Sequence, residues 1–190
     1  MKPLGVILAG GRATRMGGGD KGLLEIEGVP LMRHVIDRLA PQVAGLAINA
    51  NGDPARFAAF GLPVIPDSLP DRPGPLAGVL VGLDWAAGEG ASHIVTAAAD
   101  TPFFPTDLVE KLQAAHPDLA LAATEDGRHP TFGLWPVALR DDLRAALEGG
   151  LRKVVLWTDR HGGATAMFPD DAAFFNVNTP ADLEVARAMR

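Results

Sequence analysis

The sequence predicts an α/β fold in three layers, a mainly parallel sheet with helices on both sides. Three observations predict it. Short apolar runs alternate with stretches of helical spacing along most of the 190 residues. The first run, Leu4–Leu8, is apolar on both faces, as in a parallel sheet covered by helices. Glycine or a polar residue then stands at the carboxyl end of one run after another, where open α/β sheets bind ligands.

Each element follows from its own signals. After Leu4–Leu8 comes a glycine-rich loop, with a brief extended piece over 23–26. Gly28-Val29-Pro30 turns the chain, and Pro30 suits the first position of a helix. Leu31, Val35 and Leu39 recur at i, i+4 and i+8 as one apolar stripe, which Pro41 ends. Residues 46–50 read as a strand ending in Asn49-Ala50-Asn51-Gly52, and a short helix runs from Pro54 to Gly61. Residues 63–65 are a strand ending at Pro66-Asp67. A proline-rich loop leads into a helix over 76–87, whose Gly78 and Gly82 mark close packing against the sheet or a nucleotide. A strand over 93–99 ends at Asp100-Thr101-Pro102, and a helix follows over 105–115. Residues 119–123 and 131–135 read as strands around a polar turn, and 137–147 as a helix stopped by Gly149-Gly150. Residues 151–157 fit helix and strand equally, and 165–168 is a short strand. Asn176-Val177-Asn178-Thr179-Pro180 opens the last helix, with Thr179 and Asp182 spaced as a capping box. No linker or internal repeat interrupts the chain, so residues 1–190 read as a single domain.

Composition narrows the function. Hydrophobic content of 47% argues against disorder, and a net charge of −6 against general nucleic-acid binding. No run nears the ~20 apolar residues of a membrane span, and the N-terminal run is too short for a secretory leader. Cysteine is absent, which removes disulfides and thiolate chemistry and fits a cytoplasmic protein. An anion site must then be a local focus of cations in an acidic protein.

The glycine loop is that focus. Leu8-Ala9-Gly10-Gly11-Arg12-Ala13-Thr14-Arg15-Met16-Gly17-Gly18-Gly19-Asp20-Lys21 follows the first strand. Glycine lets backbone N–H groups approach an anion, arginine adds a fork of donors, and lysine adds a point charge. Two familiar loops fit poorly. A Walker loop needs Gly-Lys-Ser/Thr, but Gly22 follows Lys21; Gly17-x-Gly19-x-x-Gly22 matches the dinucleotide fingerprint but does not directly follow the strand. Asp100 ends a buried strand and would serve a Mg²⁺ ion, which takes one or two carboxylates with waters and phosphates; an aspartate before Thr-Pro also suits a plain turn. Asn49 and Asp67 carry groups able to read a base or ribose, or close a turn. Asn176 and Asn178 share one face of an extended segment.

The stretch LAGGxxxRMGxxDKG over residues 8–22 resembles the signature loop of nucleotidyltransferases, most of all that of the molybdenum cofactor guanylyltransferases. Asn-Ala-Asn, Pro-Gly-Pro-Leu-Ala-Gly, Asp-Thr-Pro, His-Pro-Thr and Asn-Val-Asn-Thr-Pro match that family in order, so the resemblance spans Leu8 to Pro180. It implies a Rossmann-like, GT-A-like nucleotidyltransferase fold. It implies transfer of GMP from GTP to the terminal phosphate of molybdopterin, or its molybdenum-loaded form, with release of pyrophosphate. By resemblance, Leu8, Ala9, Gly10, Gly11, Lys21, Asn49, Asp67 and Asp100 bind the nucleotide. Arg15, Lys21 and Asp100 are catalytic, and Asp100 holds Mg²⁺. His129, Asn176 and Asn178 are read as facing the acceptor, with metal binding the alternative for Asn178. Arg152 and Lys153 are read as solvated. Cofactor-inserting chaperones and molybdoenzymes are the implied partners.

Two readings compete with this one. A cytidylyltransferase, or another nucleotidyltransferase with a different phosphorylated acceptor, would share the first loop. A non-catalytic nucleotide-binding cofactor chaperone would share the cradle, but would not need the carboxylate of Asp100. A glycosyltransferase on a related sheet would favour Asp-x-Asp where this chain has Asp100-Thr101-Pro102.

Overall fold

A computed structural model describes residues 2–10, 20–69 and 74–189. The strands are β1 (Leu4–Leu8), β2 (Glu25–Ile26), β3 (Val29–Pro30), β4 (Leu46–Asn49), β5 (Val64–Ile65), β6 (His93–Ala98), β7 (Ala120–Thr124), β8 (Gly127–Pro136) and β9 (Ala164–Met167). The helices are α1 (Leu31–Leu39), α2 (Pro75–Gly88), α3 (Leu108–Ala115), α4 (Arg140–Glu148), α5 (Val154–Arg160) and α6 (Pro180–Ala188). Seven strands form one sheet in the order β5-β4-β1-β6-β8-β7-β9, and β2 pairs with β3 in a separate ribbon.

The sheet is mostly parallel, with one reversal. β5, β4, β1 and β6 run parallel, as do β7 and β9. β8 runs antiparallel to β6 on one side and to β7 on the other. Its first residues therefore lie at the edge where the parallel strands end. β8 also begins earlier than the apolar run at 131–135, because Gly127, Arg128 and His129 pair with β7 despite their polarity.

Alternation along the strands sorts side chains to two faces. Ile7, Ile48, Val95, Phe132 and Leu134 pack beneath α1 and α3, against Met32, Val35, Leu39, Leu108 and Leu112. Leu4, Val6, Ile94, Leu121 and Trp135 pack beneath α2, α4 and α5, against Leu76, Leu80, Leu83, Leu143 and Trp157. This is the three-layer arrangement the alternating pattern predicts. Each buried leucine, valine or isoleucine contributes about 1.5–3 kcal/mol by leaving water. The indole N–H of Trp135 donates to Thr96 Oγ1 at 2.9 Å, so both buried polar groups are satisfied.

Three local expectations change. Pro30 ends β3 and precedes α1 rather than opening it. Residues 105–107 form a turn, and the helix expected there starts at Leu108. The stretch compatible with helix and strand becomes helix α5 from Val154, with Thr158 Oγ1 donating to the carbonyls of Val154 and Val155.

Candidate active site

The ends of β1, β4 and β6 meet at one edge and are stitched by backbone hydrogen bonds. Ala9 N donates to Asn49 O at 2.9 Å, Ala50 N to Ile65 O at 3.2 Å, and Ala99 N to Leu8 O at 3.1 Å. Four parallel strands thus deliver Leu8, Asn49, Asp67 and Asp100 along one line, as their positions in the sequence predict. Leu8 is half-buried and Ala9 buried, while Gly10 is exposed. A Cβ built on Gly10 meets nothing within 4 Å among the described residues. Gly11, Arg12 and Arg15 lie outside the described residues.

Lys21 brings a cation to this edge. Its Nζ lies 3.3 Å from Asp100 Oδ2 and donates to Asn178 Oδ1 in a short hydrogen bond. Lys21 and Asp100 keep about a fifth of their side-chain surface exposed, at 20% and 21%, so solvent or a ligand reaches both. The Asp100 backbone oxygen accepts from Val177 N at 2.8 Å, which fixes the Asn-Val-Asn segment against the end of β6. Asn176 then accepts from the buried hydroxyl of Thr101. Both asparagines therefore stand at the Asp100 end: Asn178 on the lysine, Asn176 on the residue after the aspartate.

The cap of α6 anchors this segment. Thr179 Oγ1 accepts from Asp182 N at 3.1 Å, and Asp182 Oδ2 accepts from the backbone N–H groups of Asn178 at 2.9 Å and Thr179 at 2.8 Å. This is the capping box read from the sequence. The N–H of Asn178 is the largest of the influences that hold the Asp182 carboxyl below its usual range, followed by the Thr179 hydroxyl.

A second polar cluster sits on the β4–β5 side. Asn49, only 3% exposed, donates from Nδ2 to Asp67 Oδ1 at 2.9 Å and to Ile65 O at 3.1 Å. Asn51 donates to Asp67 Oδ2 at 2.8 Å, and its Oδ1 accepts from Asp67 N at 2.8 Å. Asn49 and Asp67 are thus brought together, and Asn51, to which the sequence reading gave no role, holds Asp67 from the other side. Its period-two spacing from Asn49 was the available signal. Helix α2 closes over this cluster. A Cβ on Gly78 would fall 2.3 Å from Asn49 Oδ1 and 2.7 Å from Leu8 Cδ2, so only glycine fits. Gly82, one turn on, meets Ile94 and Val6 of the sheet.

His129 is one strand beyond β6, on β8, and hydrogen-bonds neither Lys21 nor Asp100. Its ring stacks on Phe174 at 4.2 Å and 6°, and Nε2 lies 2.9 Å from Thr124 Oγ1. Burial pushes its pKa below the ordinary 6.5, against the opposing pull of Asp171 and Asp126. Burial therefore favours the neutral imidazole. Arg152 and Lys153 are both exposed, and Arg152 Nη1 donates to the backbone oxygens of Leu147 and Leu151 at 3.1 and 2.7 Å. A cavity of about 560 Å³ opens at the opposite edge of the sheet, beside His93 and His161. Those histidines hydrogen-bond Asp118 and Asp142, and the cavity shares no residue with the cluster around Lys21.

Among the described residues, no three His, Cys, Asp or Glu side chains are grouped to hold a metal. The donor set around Lys21 is instead a single carboxylate and an amide oxygen converging on one positive charge. Such hard oxygens suit Mg²⁺, which completes its shell with waters and phosphates.

A glycine-rich first loop, a lysine–aspartate pair at the carboxyl edge and a seven-stranded, mostly parallel sheet define a nucleotidyltransferase. The chain belongs to the family with a MobA-like NTP transferase domain, whose model matches residues 5–162. It is 52% identical over 190 residues to a molybdenum cofactor guanylyltransferase of Cereibacter sphaeroides, covering 100% of this chain and 97% of that one. It is 53% identical over 194 residues to a molybdenum cofactor guanylyltransferase of Bradyrhizobium sp. (strain ORS 278), covering 97% and 92%. Among solved structures it resembles molybdopterin-guanine dinucleotide biosynthesis protein A from Archaeoglobus fulgidus, with a TM-score of 0.73, 23% identity, and 98% and 97% of the two chains covered. It also resembles a CMP:2-keto-3-deoxy-manno-octonic acid synthetase complexed with CTP, with a TM-score of 0.75, 19% identity, and 100% and 98% covered. Those two likenesses establish the shared fold. No helix among the described residues is long and apolar enough to cross a membrane.

Proposed function

We propose that this protein transfers GMP from GTP to the terminal phosphate of molybdopterin, or of its molybdenum-loaded form, and releases pyrophosphate. The observation that carries this reading is the Lys21 ammonium held between Asp100 and Asn178 at the carboxyl edge of a chain about half identical, over nearly its full length, to molybdenum cofactor guanylyltransferases.

In the proposed reaction an oxygen of the acceptor phosphate forms a bond to the α-phosphorus. The bond from that phosphorus to the bridging oxygen breaks, and pyrophosphate leaves with the electron pair. The acceptor phosphate has a second pKa near ~6, so it is mostly ionised at pH 7 and no general base is required. The work left to the protein is positioning two anions and balancing their charge. Lys21 and Arg15, with the backbone amides of Gly10 and Gly11, would hold the β- and γ-phosphates. Asn49 and Asp67 take the nucleoside. Mg²⁺ on Asp100, with Asn178 adjacent, would draw charge from the phosphate oxygens. Asn176, Asn178 and His129 line the acceptor side. The product would pass to cofactor-inserting chaperones and molybdoenzymes in the cytoplasm.

The test is pyrophosphate release by purified protein with Mg²⁺, molybdopterin and each nucleoside triphosphate in turn. Release with GTP alone is expected. Release with CTP instead would move the protein to a cytidylyl reaction on the same fold. Nucleotide binding without release would point to a cofactor chaperone.

A further inference from the structure

Asp20 directly precedes Lys21, and both oxygens of its carboxylate face the guanidinium of Arg56. Arg56 Nε lies 2.7 Å from Asp20 Oδ2, and Nη2 lies 3.2 Å from Oδ1. The same Nη2 donates to the backbone oxygen of Asn51 at 2.9 Å. The guanidinium also sits 5.0 Å from the ring centroid of Phe57, which is fully buried. Residue 52 is a glycine with φ +85°, and a Cβ there would fall 2.8 Å from Arg56 Nη1. Arg56 is thus confined by a carboxylate, a carbonyl, an aromatic face and a glycine that leaves it room.

The contacts form one chain across the site. Asp67 is held by Asn51, the Asn51 backbone by Arg56, Arg56 grips Asp20, and Asp20 is joined to Lys21. Nothing in the reaction proposed above calls for Arg56, which lies 36 positions from Asp20. A two-point arginine–carboxylate fork fixes direction as well as distance, which a point charge does not.

We propose that Arg56 is a positioning residue. Its fork on Asp20 sets the spacing between Lys21 and the Asn49–Asp67 pair, so the phosphate side and the nucleoside side of the site are held as one frame. The proposal rests on the nucleotide reading of the site. A ligand that spans both sides gains from the frame; a ligand that touches only the Lys21 side does not.

Two measurements on Arg56→Ala test it. In nucleotide-free protein, amide hydrogens of Lys21–Leu23 should exchange about tenfold faster than in the wild type, with β1 and β6 unchanged. The Kd for GTP should rise about tenfold, while the Kd for pyrophosphate with Mg²⁺ changes less than about twofold. Arg56→Lys should recover part of the GTP affinity, since it keeps the charge without the fork. Unchanged exchange at Lys21–Leu23 would overturn the proposal whatever the nucleotide proves to be. Equal losses for GTP and pyrophosphate would also overturn it and make Arg56 a direct phosphate ligand. If the wild type binds no nucleotide, the reading of the site falls, and the exchange comparison still decides whether Arg56 fixes Lys21.

Discussion

Lys21 Nζ stands 3.3 Å from Asp100 Oδ2, joining residues 79 positions apart at the point where β1 and β6 end. About four-fifths of each side chain is shielded, and Asn178 completes the pair from the segment before α6. A cation facing an anionic substrate is here already balanced by a carboxylate. In the proposed reaction, substrate binding would exchange one partner of the lysine for another.

Removing that cation should stop the chemistry and spare the fold. Lys21→Ala is expected to lower kcat by about 10²–10³-fold, the loss typical of one preorganised charge or donor. The midpoint of urea unfolding should barely move, because a partly exposed ion pair contributes little to stability. Single-turnover pyrophosphate release together with urea titration checks both. Near-normal turnover would remove Lys21 from the mechanism.

Gly78 and Gly82 separate packing from binding. Alanine at 78 would press on Asn49 Oδ1 and Leu8; alanine at 82 would press on Ile94 and Val6, away from the polar cluster. Each is expected to cost about 1–3 kcal/mol of stability through overpacking. Only Gly78→Ala should also weaken GTP binding, by displacing Asn49. Chemical denaturation and nucleotide titration of the two variants compare the effects directly.

The cap of α6 should report on Asn178. Thr179→Ala removes the side-chain acceptor of the capping box and is expected to cost about 1 kcal/mol. It should also slow turnover, because the cap holds the segment that carries Asn178. Loss of stability with an unchanged kcat would show that the segment does not depend on the cap.

pH gives an independent readout. Folding depresses the pKa of His129 below 6.5, so the native state favours the neutral ring. The stability this contributes is present above the unfolded pKa and is lost as pH falls through the folded one. An NMR titration should place the His129 midpoint below 6.5. His129→Gln should flatten the part of the stability profile that declines below that pH. Asp182 has the same sign at lower pH, since its folded pKa is also depressed.

Much of the fold was legible because burial on both faces leaves a plain mark. Leu4–Leu8 and the run from Ile94 to Ala98, with Thr96 its one polar residue, are otherwise apolar, and glycine or aspartate follows soon after each. The direction of β8 was not legible. A run such as Thr131 to Trp135 looks the same whichever way it pairs, and its polar beginning hid the strand residues Gly127 to Pro130. In the site, Lys21, Asn49, Asp67 and Asp100 were legible because each ends a strand or a motif. Their pairing was not, since Asn49 meets Asp67 only once β4 and β5 are in register. The Arg56–Asp20 fork had no local signature, because an arginine in a short surface helix usually faces water.

The reversal of β8 also bears on how such a protein changes over time. A parallel strand can reach the working edge only after a crossover with its own helix, so moving it disturbs two layers. The β7–β8 hairpin reaches that edge and returns within a few residues, carrying Thr124 on one arm and His129 on the other. Its tip, Glu125 and Asp126, bears no core side chain. Substitutions or insertions at that tip would reshape the surroundings of His129 while leaving the Lys21–Asp100 pair in place. If His129 faces the acceptor as proposed, this hairpin is where a lineage could trade one second substrate for another with little disruption of the sheet.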